Sequence, residues 1–522
     1  MRLTNPVILF LIVIAAITSC AAPTATPASP TATQAPAPAT LTRVPDTLTT
    51  APAAPTAQPT IASPATATPA NTPPPAPTST PTVPPTATAT HTPAPTATTA
   101  ATPLPVYGVN QCTEIWQPGY YKLTADIKSP WGKDCFSIGS HNVVFDCDGH
   151  SIEGDVNPKN IKGKQYGYYG FFVKKFNWPL LETPTNIEIK NCKVLHHKVA
   201  IFVGSGNNVY IHDNNLSDNR DTTDDRRMGD FLGTLTDGGG VRLDSVNGAR
   251  IENNISDNAD VGFDVRDSAN VIIRNNRAWK NSAWGVSFLN VTNSQVISNT
   301  VRDNIRSCIW GDGKSIARGC DAGGIFLTDG ASNNMIRDNQ VLGDNGNGIF
   351  IKAHGQRCGD NNTIQNNKII GAVWNAVEFS FCTGNKIIGN EIADSTDAVF
   401  FGFTKDTEIR NNVVRNMKNH GLISWNSRGS IVTGNDIATS RIGIYFYWDG
   451  FNVKNFPFLT PTPESYPSRD NLFEGNVLRD NTVAGIRLSN SIYNKVQNNT
   501  FGNNARNVWA DGKMDGNVIL GQ

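Results

Sequence analysis

The chain has 522 residues, and its 44 lysines and arginines equal its 44 aspartates and glutamates, giving a formal net charge of +0 at pH 7. Without a basic excess, neither nucleic acid nor anionic lipid is expected as an electrostatic partner. A chain of this length fits two or three ordinary domains, or one elongated body if the sequence repeats.

The N-terminal segment predicts export. Arg2 precedes an apolar run from Val7 to Ile17, which is short for a bilayer span and is followed by small residues ending at Cys20. The stretch ITSC resembles the lipobox of bacterial lipoproteins, and this resemblance implies that Cys20 is acylated. We therefore expect a lipoprotein signal peptide over residues 1–20 and a membrane-anchored protein in the periplasm or at the cell surface. An ordinary secretory peptide is the alternative.

Residues 21–105 are almost entirely threonine, proline and alanine, as in ATPANTPPPAPTSTPTVPPTATAT. This composition lacks the large apolar side chains whose burial offsets the entropy cost of ordering, so it predicts a disordered linker. At roughly 3.1 Å per residue in an extended polyproline-II form, the linker would reach on the order of 250 Å. We expect it to hold a folded domain, residues 106–522, away from the membrane.

A sequence repeat of about 22 residues recurs through this domain, for example NVIIRNNRAWKNSAWGVSF from Asn270 and NKIIGNEIADSTDAVFFG from Asn385. Each repeat predicts two short strands and then a glycine-led strand such as AGIRL, with turns between them. No helical periodicity intervenes, which favours coils whose strands stack in parallel about 4.8 Å apart. Asparagine suits the corners because it tolerates left-handed backbone conformations, and stacked corners predict an asparagine ladder.

The repeats NVIIRNN, NTIQNN and TEIRNN resemble those of the right-handed parallel β-helix superfamily of pectate lyases. They are more closely similar to the PbH1 repeats of the NosD and carbohydrate-binding families. The resemblance covers residues 106–522 and implies an all-β fold, a right-handed parallel β-helix solenoid of about a dozen coils. It is specific for fold and poor for function, because the recurring residues are structural.

Beyond Cys20 the chain has eight cysteines, and an even number in an exported chain favours disulfides. The repeat spacing places the members of three pairs at similar positions of neighbouring coils, and a fourth pair would close a local loop. These candidate pairs are Cys112 with Cys135, Cys147 with Cys192, Cys358 with Cys382, and Cys308 with Cys320. None has the CxxC spacing of a zinc site, so metal binding is the weaker interpretation.

Side chains alternate across a strand, so an inward Ile349 and Ile351 place Phe350 and Lys352 on the outer face. The glycine-led strands then predict a first outward column of Phe202, Arg242, Asp264, Ser287, Phe326, Phe350, Glu378, Phe400, Ile423, Tyr445, Arg487 and Trp509. The second outward column is predicted to hold Asp244, Arg266, Thr328, Lys352, Ser380, Trp425, Tyr447 and Asp511. The superfamily resemblance implies a cleft on such a sheet.

Candidate site residues follow from the charges and aromatic rings of this face. The catalytic candidates are Asp244, Asp264, Arg266, Lys352 and His354, and the substrate-binding candidates are Arg242, Glu378, Trp425, Tyr445, Tyr447 and Trp448. Ring faces pack on sugar CH groups, while charged groups can bind hydroxyls, uronates or a bridging Ca²⁺. The alternative is structural, with Arg242 beside Asp264 and Asp244 beside Arg266 as ordinary cross-strand charge pairs, and the aromatics present for strand propensity.

If the protein is an enzyme, a lyase or epimerase is favoured over a hydrolase. Lys352, Arg266 and His354 could supply a base and a positive charge for a uronate. Asp264 and Glu378 are predicted to lie about five coils apart, on the order of 24 Å, which is too far for a hydrolytic carboxylate pair. The Asp-Pro-His signature of alginate epimerases and the full polygalacturonase motif set are absent from the sequence.

Three insertions interrupt the repeat at residues 220–237, 306–320 and 449–470. The first two enter just before a glycine-led strand and are predicted to wall one edge of the outward face, while the third leaves by the opposite edge. Long loops on a rigid scaffold often carry binding sites.

These features predict a polysaccharide-binding or polysaccharide-processing protein, and we expect a monomer. A structural or adhesive spacer and a NosD-like metal or transporter accessory are the alternatives, although scarce and unclustered His and Met do not favour copper handling. No cofactor is required by the sequence, and Ca²⁺ is the one considered.

Overall fold

The computed structural model describes residues 103–155, 167–175, 182–220, 238–304, 307–309, 316–318, 323–344, 346–353, 358–448 and 467–521. They belong to one compact unit, residues 102–522. Within these ranges the chain is all-β, and none of it forms a helix able to cross a membrane. The predicted signal peptide and linker, most of the three insertions, and the candidates His354 and Cys320 lie outside the described residues.

Sheet 1 is the 15-stranded sheet built from the glycine-led strands. Its members in spatial order are Thr113–Ile115, Phe136–Ile138, Gly167–Val173, His197–Val203, Gly239–Asp244, Val261–Arg266, Trp284–Leu289, Gly323–Thr328, Asn347–Ile351, Asn375–Ser380, Asp397–Gly402, His420–Trp425, Ile442–Tyr447, Ala484–Ser489 and Val508–Asp511. Spatial order equals chain order, as in a solenoid.

Sheet 2 has 16 strands and receives the chain after it leaves sheet 1. Its strands are Val106–Val109, Gly119–Leu123, Val143–Asp146, Thr185–Lys190, Gly206–His212, Val246–Glu252, Ala269–Arg274, Gln295–Ile297, Met335–Arg337, Thr363–Gln365, Lys386–Ile388, Glu408–Arg410, Ile431–Thr433, Leu472–Glu474, Lys495–Gln497 and Val518–Ile519.

Sheet 3 closes each coil and has two parts, which isolated bridges through Asn215 and Ile255 connect. The 3-stranded part holds Ile127–Lys128, Ser151–Glu153 and Lys193–Leu195, and the 9-stranded part holds Arg277–Trp279, Thr300–Arg302, Gln340–Leu342, Lys368–Ile370, Glu391–Ala393, Val413–Arg415, Asp436–Ala438, Val477–Arg479 and Thr500–Gly502. Ser468–Arg469 pairs in parallel with Ser491–Ile492, and Ser307–Ile309 pairs antiparallel with Ile316–Arg318.

The three sheets confirm the predicted right-handed parallel β-helix, in which successive coils add strands to sheets 1, 2 and 3 in turn. All pairings within them are parallel, and crossover connections between parallel strands are right-handed. The prediction of about a dozen coils was low, since sheet 1 alone contains 15 strands. The extra coils lie at the N-terminal end, where the strands lack the glycine-led pattern.

A continuous apolar column fills the interior. Inward residues such as Ile349, Val377 and Val399 are fully buried and belong to a single core cluster that runs from Val109 to Val496. Buried phenylalanines stack from coil to coil, for example Phe379 on Phe401 with ring centroids 5.4 Å apart. Period-two alternation in the strands therefore produces this core.

A buried asparagine ladder runs along the corner between sheets 2 and 3. Its members are Asn214, Asn254, Asn276, Asn299, Asn339, Asn367, Asn390, Asn412, Asn435, Asn476 and Asn499. At Asn412, both the backbone N and Nδ2 donate to Oδ1 of Asn435, at 3.0 and 2.9 Å, and Nδ2 also donates to the Ile387 carbonyl at 2.9 Å. Each amide thus satisfies corner groups that no sheet can reach.

The two residues of each Asn-Asn pair in the repeat have different structural roles. The first residue, such as Asn366 or Asn411, has φ of 53° or 56° and turns the corner. The second residue, such as Asn367 or Asn412, is buried in the ladder. Elsewhere a glycine such as Gly389 takes the first position, because glycine adopts positive φ without strain.

Disulfides fasten neighbouring coils as the repeat spacing predicted. Cys112 bonds Cys135, Cys147 bonds Cys192, and Cys358 bonds Cys382. The predicted bond between Cys308 and Cys320 falls outside the described residues. Disulfides persist in oxidising compartments, so these bonds suggest an exported protein.

A second ladder, at the corner between sheets 3 and 1, includes a buried carboxyl group. Asn281 N donates to Asn304 Oδ1 at 3.0 Å, and Asn304 N and Nδ2 both donate to Asp344 Oδ1 at 2.9 Å. Asp344 Oδ2 is buried without a hydrogen-bond partner among the described residues. Burial raises the pKa of Asp344 to about 7, against the hydrogen bonds from Asn304, which lower it.

Replacing Asp344 by Asn is expected to increase the free energy of unfolding at about pH 8 and to leave it nearly unchanged at about pH 4. The folded carboxyl, with a pKa of about 7 against an ordinary 3.8, holds its proton more tightly than the unfolded one. The contribution of this carboxyl group to the free energy of unfolding is therefore complete at low pH and is lost as pH rises through about 7. Denaturant unfolding of both proteins across this pH range measures the difference.

The control for this prediction is Asp394→Asn, which changes an exposed corner residue with φ of 57°. Comparing variants is necessary because burial lowers the pKa of His197 to about 4, which makes stability rise with pH over the acidic range. A parallel pH dependence in wild type and Asp344→Asn would contradict a titrating ladder residue.

Candidate functional site

The strand register places both predicted columns on the outer face of sheet 1. The first column is confirmed in full, with Arg242 paired to Asp264, Phe350 to Glu378 and Tyr445 to Arg487. In the second column, Asp244 pairs with Arg266 and Trp425 with Tyr447. The predicted residues therefore do share one face.

Several residues predicted to be outward are nevertheless buried. Asp264 is only 4% exposed and Phe326 only 2% exposed. Large side chains on successive coils pack against one another here: the Phe326 ring stacks on Trp284 at 4.5 Å and contacts Phe350 at 5.6 Å. With Val261 and Ala283 they form an apolar cluster separate from the interior core. This outer apolar cluster divides the face into two polar regions.

The first polar region contains the charged catalytic candidates. Arg266 Nε and one of its terminal nitrogens contact Asp264 Oδ2 at 2.8 and 2.7 Å, and Arg242 contacts Asp244 at 3.5 Å. These ion pairs lie within a strand, whereas cross-strand pairs were expected. Asp264 Oδ1 and the Ser287 hydroxyl on the next strand are buried without a hydrogen-bond partner among the described residues. The geometry suits a structural ion pair.

The structure does not bring all the catalytic candidates together. Asp244 and Asp264 lie on adjacent strands, but the strands carrying Ser287, Phe326 and Phe350 intervene between Asp264 and Glu378. At about 4.8 Å per strand, that separation is about 19 Å rather than the expected 24 Å, and it is still too large for a hydrolytic pair. Lys352 lies on the coil next to that of Glu378, and its Nζ is 5.9 Å from the Phe350 ring.

The aromatic candidates at the other end of the face stack on one another. The Trp425 and Tyr447 rings lie 6.1 Å apart and nearly parallel, and Tyr445 stacks on Tyr447 at 4.9 Å. The Arg487 guanidinium lies 4.8 Å from the Tyr445 ring and 3.9 Å from the Trp509 ring. Because the rings face one another, they present their edges rather than their faces to a ligand. Trp448 follows Tyr447, and its backbone N donates to the Ser489 carbonyl at 3.1 Å.

A third outward column, at the start of the sheet 1 strands, was missed by the sequence analysis. It holds Val199, Gly239, Val261, Trp284 and Gly323, and then becomes polar with Asn347, Asn375, Asp397 and His420, before returning to Ile442 and Ala484. The change to polar residues in consecutive coils departs from the repeat. It marks the second polar region of the face.

Glu378 anchors one half of this region. Its Oε2 accepts hydrogen bonds from Asn347 Nδ2 at 2.9 Å and from Asn375 Nδ2 at 2.7 Å. Asn347 Oδ1 in turn accepts the Asn375 backbone N at 3.0 Å. Two amide donors on adjacent coils therefore fix the carboxylate of a candidate that was predicted for substrate binding.

An imidazole–carboxylate pair forms the other half. Asp397 Oδ1 accepts hydrogen bonds from both the backbone N and the Nδ1 of His420, at 2.9 and 2.7 Å. With the proton on Nδ1, the lone pair of the ring is on Nε2, and Nε2 makes no hydrogen bond to any described residue. The Tyr445 ring lies 5.6 Å from the imidazole. Such a pair can accept a proton from a bound molecule.

Trp374 lies beside this polar region and is 43% exposed. It occupies the turn directly before strand Asn375–Ser380, and its backbone carbonyl accepts a hydrogen bond from Thr396 N at 2.9 Å. In contrast with Trp425, its indole ring stacks on no other ring among the described residues. Exposed indoles with this freedom are suited to stacking on sugars.

The described residues contain no group of three or more His, Cys, Asp and Glu side chains arranged to hold a metal ion. The proposed Ca²⁺ therefore gains no ligand set from this part of the chain. Two carboxylates of this face, those of Asp264 and Glu378, contact Arg266 and asparagine amides, respectively.

Solved structures similar to the chain include polysaccharide-related proteins at low identity. The mannuronan C-5 epimerase AlgE6 A-module of Azotobacter vinelandii is 12% identical, with 78% of this chain and 91% of that chain covered and a TM-score of 0.41. The Dettilon tailspike protein gp208 is 14% identical, with coverages of 63% and 59% and a TM-score of 0.41. The periplasmic alginate epimerase AlgG is 12% identical, with coverages of 76% and 79% and a TM-score of 0.41.

No curated protein matches the chain. The family model described as "Right handed beta helix region" matches residues 180–359 and 357–521, which together span more than half of the sequence. The match agrees with the parallel sheets and the corner ladders. The chain therefore belongs to the right-handed β-helix family.

Proposed function

We propose that the outer face of sheet 1 binds or processes a polysaccharide, with the glycan centred on the second polar region. The observation that carries this proposal is the polar segment of the third column, Asn347, Asn375, Asp397 and His420, beside the exposed Trp374. An amide- and carboxylate-lined strip next to a free indole face offers hydrogen bonds to hydroxyls and a stacking surface for a sugar ring.

The position of His420 supports the processing form of the proposal. Asp397 holds the imidazole in the tautomer whose lone pair is on Nε2, and the Tyr445 ring lies 5.6 Å from the imidazole. His420 would then accept a proton from the glycan, while Glu378 and its asparagines position a neighbouring hydroxyl. This proposal puts His420 in the role that the sequence analysis gave to Lys352, Arg266 and His354.

A structural role suits the first polar region better. Arg242 forms an ion pair with Asp244, and Arg266 forms one with Asp264, each within its own strand. Trp425 and Tyr447 stack on each other as a packing column does. We propose that the ion pairs stiffen the coils on the N-terminal side of the glycan site, and that the two stacked rings stiffen the coils that carry it.

Replacing Trp374 by Ala should weaken retention of the bound glycan about tenfold, because a stacking surface is worth about 0.5–1.5 kcal/mol beyond its buried area. Affinity electrophoresis in gels that contain a panel of neutral and acidic polysaccharides measures the retention. The melting temperature should change little, since the indole packs on no other ring.

The matched control is Trp131→Ala, which removes a tryptophan that is 46% exposed and lies in an N-terminal coil. It should leave retention unchanged. Absence of retention of any glycan by the wild-type protein would refute the proposed function, and equal losses in the Trp374 and Trp131 variants would refute the assigned position.

We also propose that the protein is exported and anchored through acylated Cys20, with residues 21–105 as the linker to the β-helix domain. The lipobox-like ITSC stretch and the disulfides of the domain support this arrangement.

The change Cys20→Ser should move the protein from the membrane fraction to the soluble fraction, since the acyl chains supply the membrane affinity. Fractionation followed by immunoblotting measures the distribution, and the melting temperature of the released protein should equal that of the domain alone. Continued membrane association of the variant would point to another anchor.

A further inference from the structure

A depression of about 430 Å³ lies at the corner between sheets 3 and 1, at the edge of the second polar region. Its lining includes Met417, Lys418, Ser440, Arg441 and Val483. Lys418 lies two positions before His420, and Arg441 directly precedes strand Ile442–Tyr447. The depression therefore lies on the turns that lead into the strands carrying His420 and Tyr445.

Two cations on neighbouring coils line this depression. Most arginines and lysines of the described sheets are paired with carboxylates, as Arg415 and Arg479 are with Asp436. Lys418 and Arg441 are exposed, and neither makes an ion pair or a side-chain hydrogen bond with a described residue. Two unneutralised cations beside one hollow attract an anion.

A buried hydroxyl lies in the wall of the depression. Ser440 is 2% exposed, and its Oγ is among the buried atoms that lack a hydrogen-bond partner in the described chain. Its backbone N donates to Asn481 Oδ1 at 3.2 Å, so the ladder fixes the residue in place. Because the Oγ atom itself is buried, Ser440 forms a fixed part of the wall of the depression and does not contact a ligand through its hydroxyl.

One carboxylate, Asp480, also lines the depression and must be counted against an anion. Its Oδ1 accepts a hydrogen bond from Asn503 Nδ2 at 3.2 Å, and its Oδ2 lies 3.9 Å from an Arg479 nitrogen. Both oxygens are therefore engaged by groups other than Lys418 and Arg441. Asp480 offsets one of the two positive charges of the lining, so the lining keeps a net positive charge.

We propose that this depression binds the negatively charged group of an acidic glycan, a carboxylate or a sulfate, with Lys418 and Arg441 as the charged partners. The inference rests on the proposed function and adds the substrate class: the glycan on sheet 1 carries acidic sugars. Arg441 offers a planar fork that matches either group, and Lys418 supplies a point charge. The apolar Met417 and Val483 fit the sugar carbons beside the charged group.

The test compares the double variant Lys418→Ala/Arg441→Ala with the wild-type full chain. The probes are matched polymers: a polyuronate and its carboxyl-reduced form, and dextran sulfate and unmodified dextran. Wild type should retain an acidic polymer more strongly than its uncharged partner. The double variant should bind that acidic polymer about tenfold to a hundredfold more weakly and the uncharged one equally well, because charge-assisted hydrogen bonds are lost.

Lys495→Ala is the matched control, since Lys495 is an exposed lysine on sheet 2. It should leave every affinity unchanged. The carboxylate and sulfate pairs of polymers identify which acidic group is recognised. Equal binding of charged and uncharged polymers by wild type would overturn this inference while leaving the proposed function standing.

A preference for acidic polymer that survives in the double variant would also overturn the inference, because the charge would then be recognised elsewhere. Binding of no polymer by wild type would overturn both the inference and the proposed function. A double variant with a lowered melting temperature is replaced by Lys418→Gln/Arg441→Gln, which keeps the side-chain stems over Met417.

Discussion

The structure depends on the hydrogen bonds that buried asparagines make between coils. At each corner the chain leaves one sheet before it enters the next, and its backbone groups have no strand partner there. Asn412 provides such partners. Its Oδ1 accepts a hydrogen bond from Asn390 on the preceding coil, and its Nδ2 donates hydrogen bonds to Asn435 on the next coil and to the Ile387 carbonyl. An unsatisfied buried amide would cost about 1–3 kcal/mol, so the ladder fixes the height and rotation of the coils from Asn214 to Asn499.

The fixed stacking of the coils also determines where side chains lie on the outer face of sheet 1. Because consecutive coils cannot slip, a side chain at one strand position lies above the equivalent side chain of the neighbouring coil, and columns form. Asn375, Asp397 and His420 become neighbours in space although they are separated by a whole coil in sequence. A binding site on this scaffold therefore requires new side chains at only one column position over a few coils. The residues of the core need not change.

Sequence alone predicted the fold and the two main columns because both follow from local rules. Period-two alternation fixed Ile349 as inward and Phe350 as outward, and the Asn-Asn pairs indicated the corners. The missed residues depend on features that emerge only in three dimensions. Asn347 and Asn375 look like corner asparagines in sequence, the exposure of Trp374 depends on the length of its turn, and Phe326 is buried because Trp284 and Phe350 flank it. The lack of ion pairs at Lys418 and Arg441 likewise cannot be inferred from charge patterning.

The central claim is that a glycan occupies sheet 1 over the coils from Asn347 to Tyr447. Amide hydrogen exchange of the full chain, with and without a saturating polysaccharide from the retention panel, tests it most directly. The account predicts slower exchange in peptides that cover the turns at residues 371–374, 395–396, 416–419 and 439–441, with no change in sheet 2. Protection confined to the strands of sheet 2, or to the coils around Asp264, would contradict it.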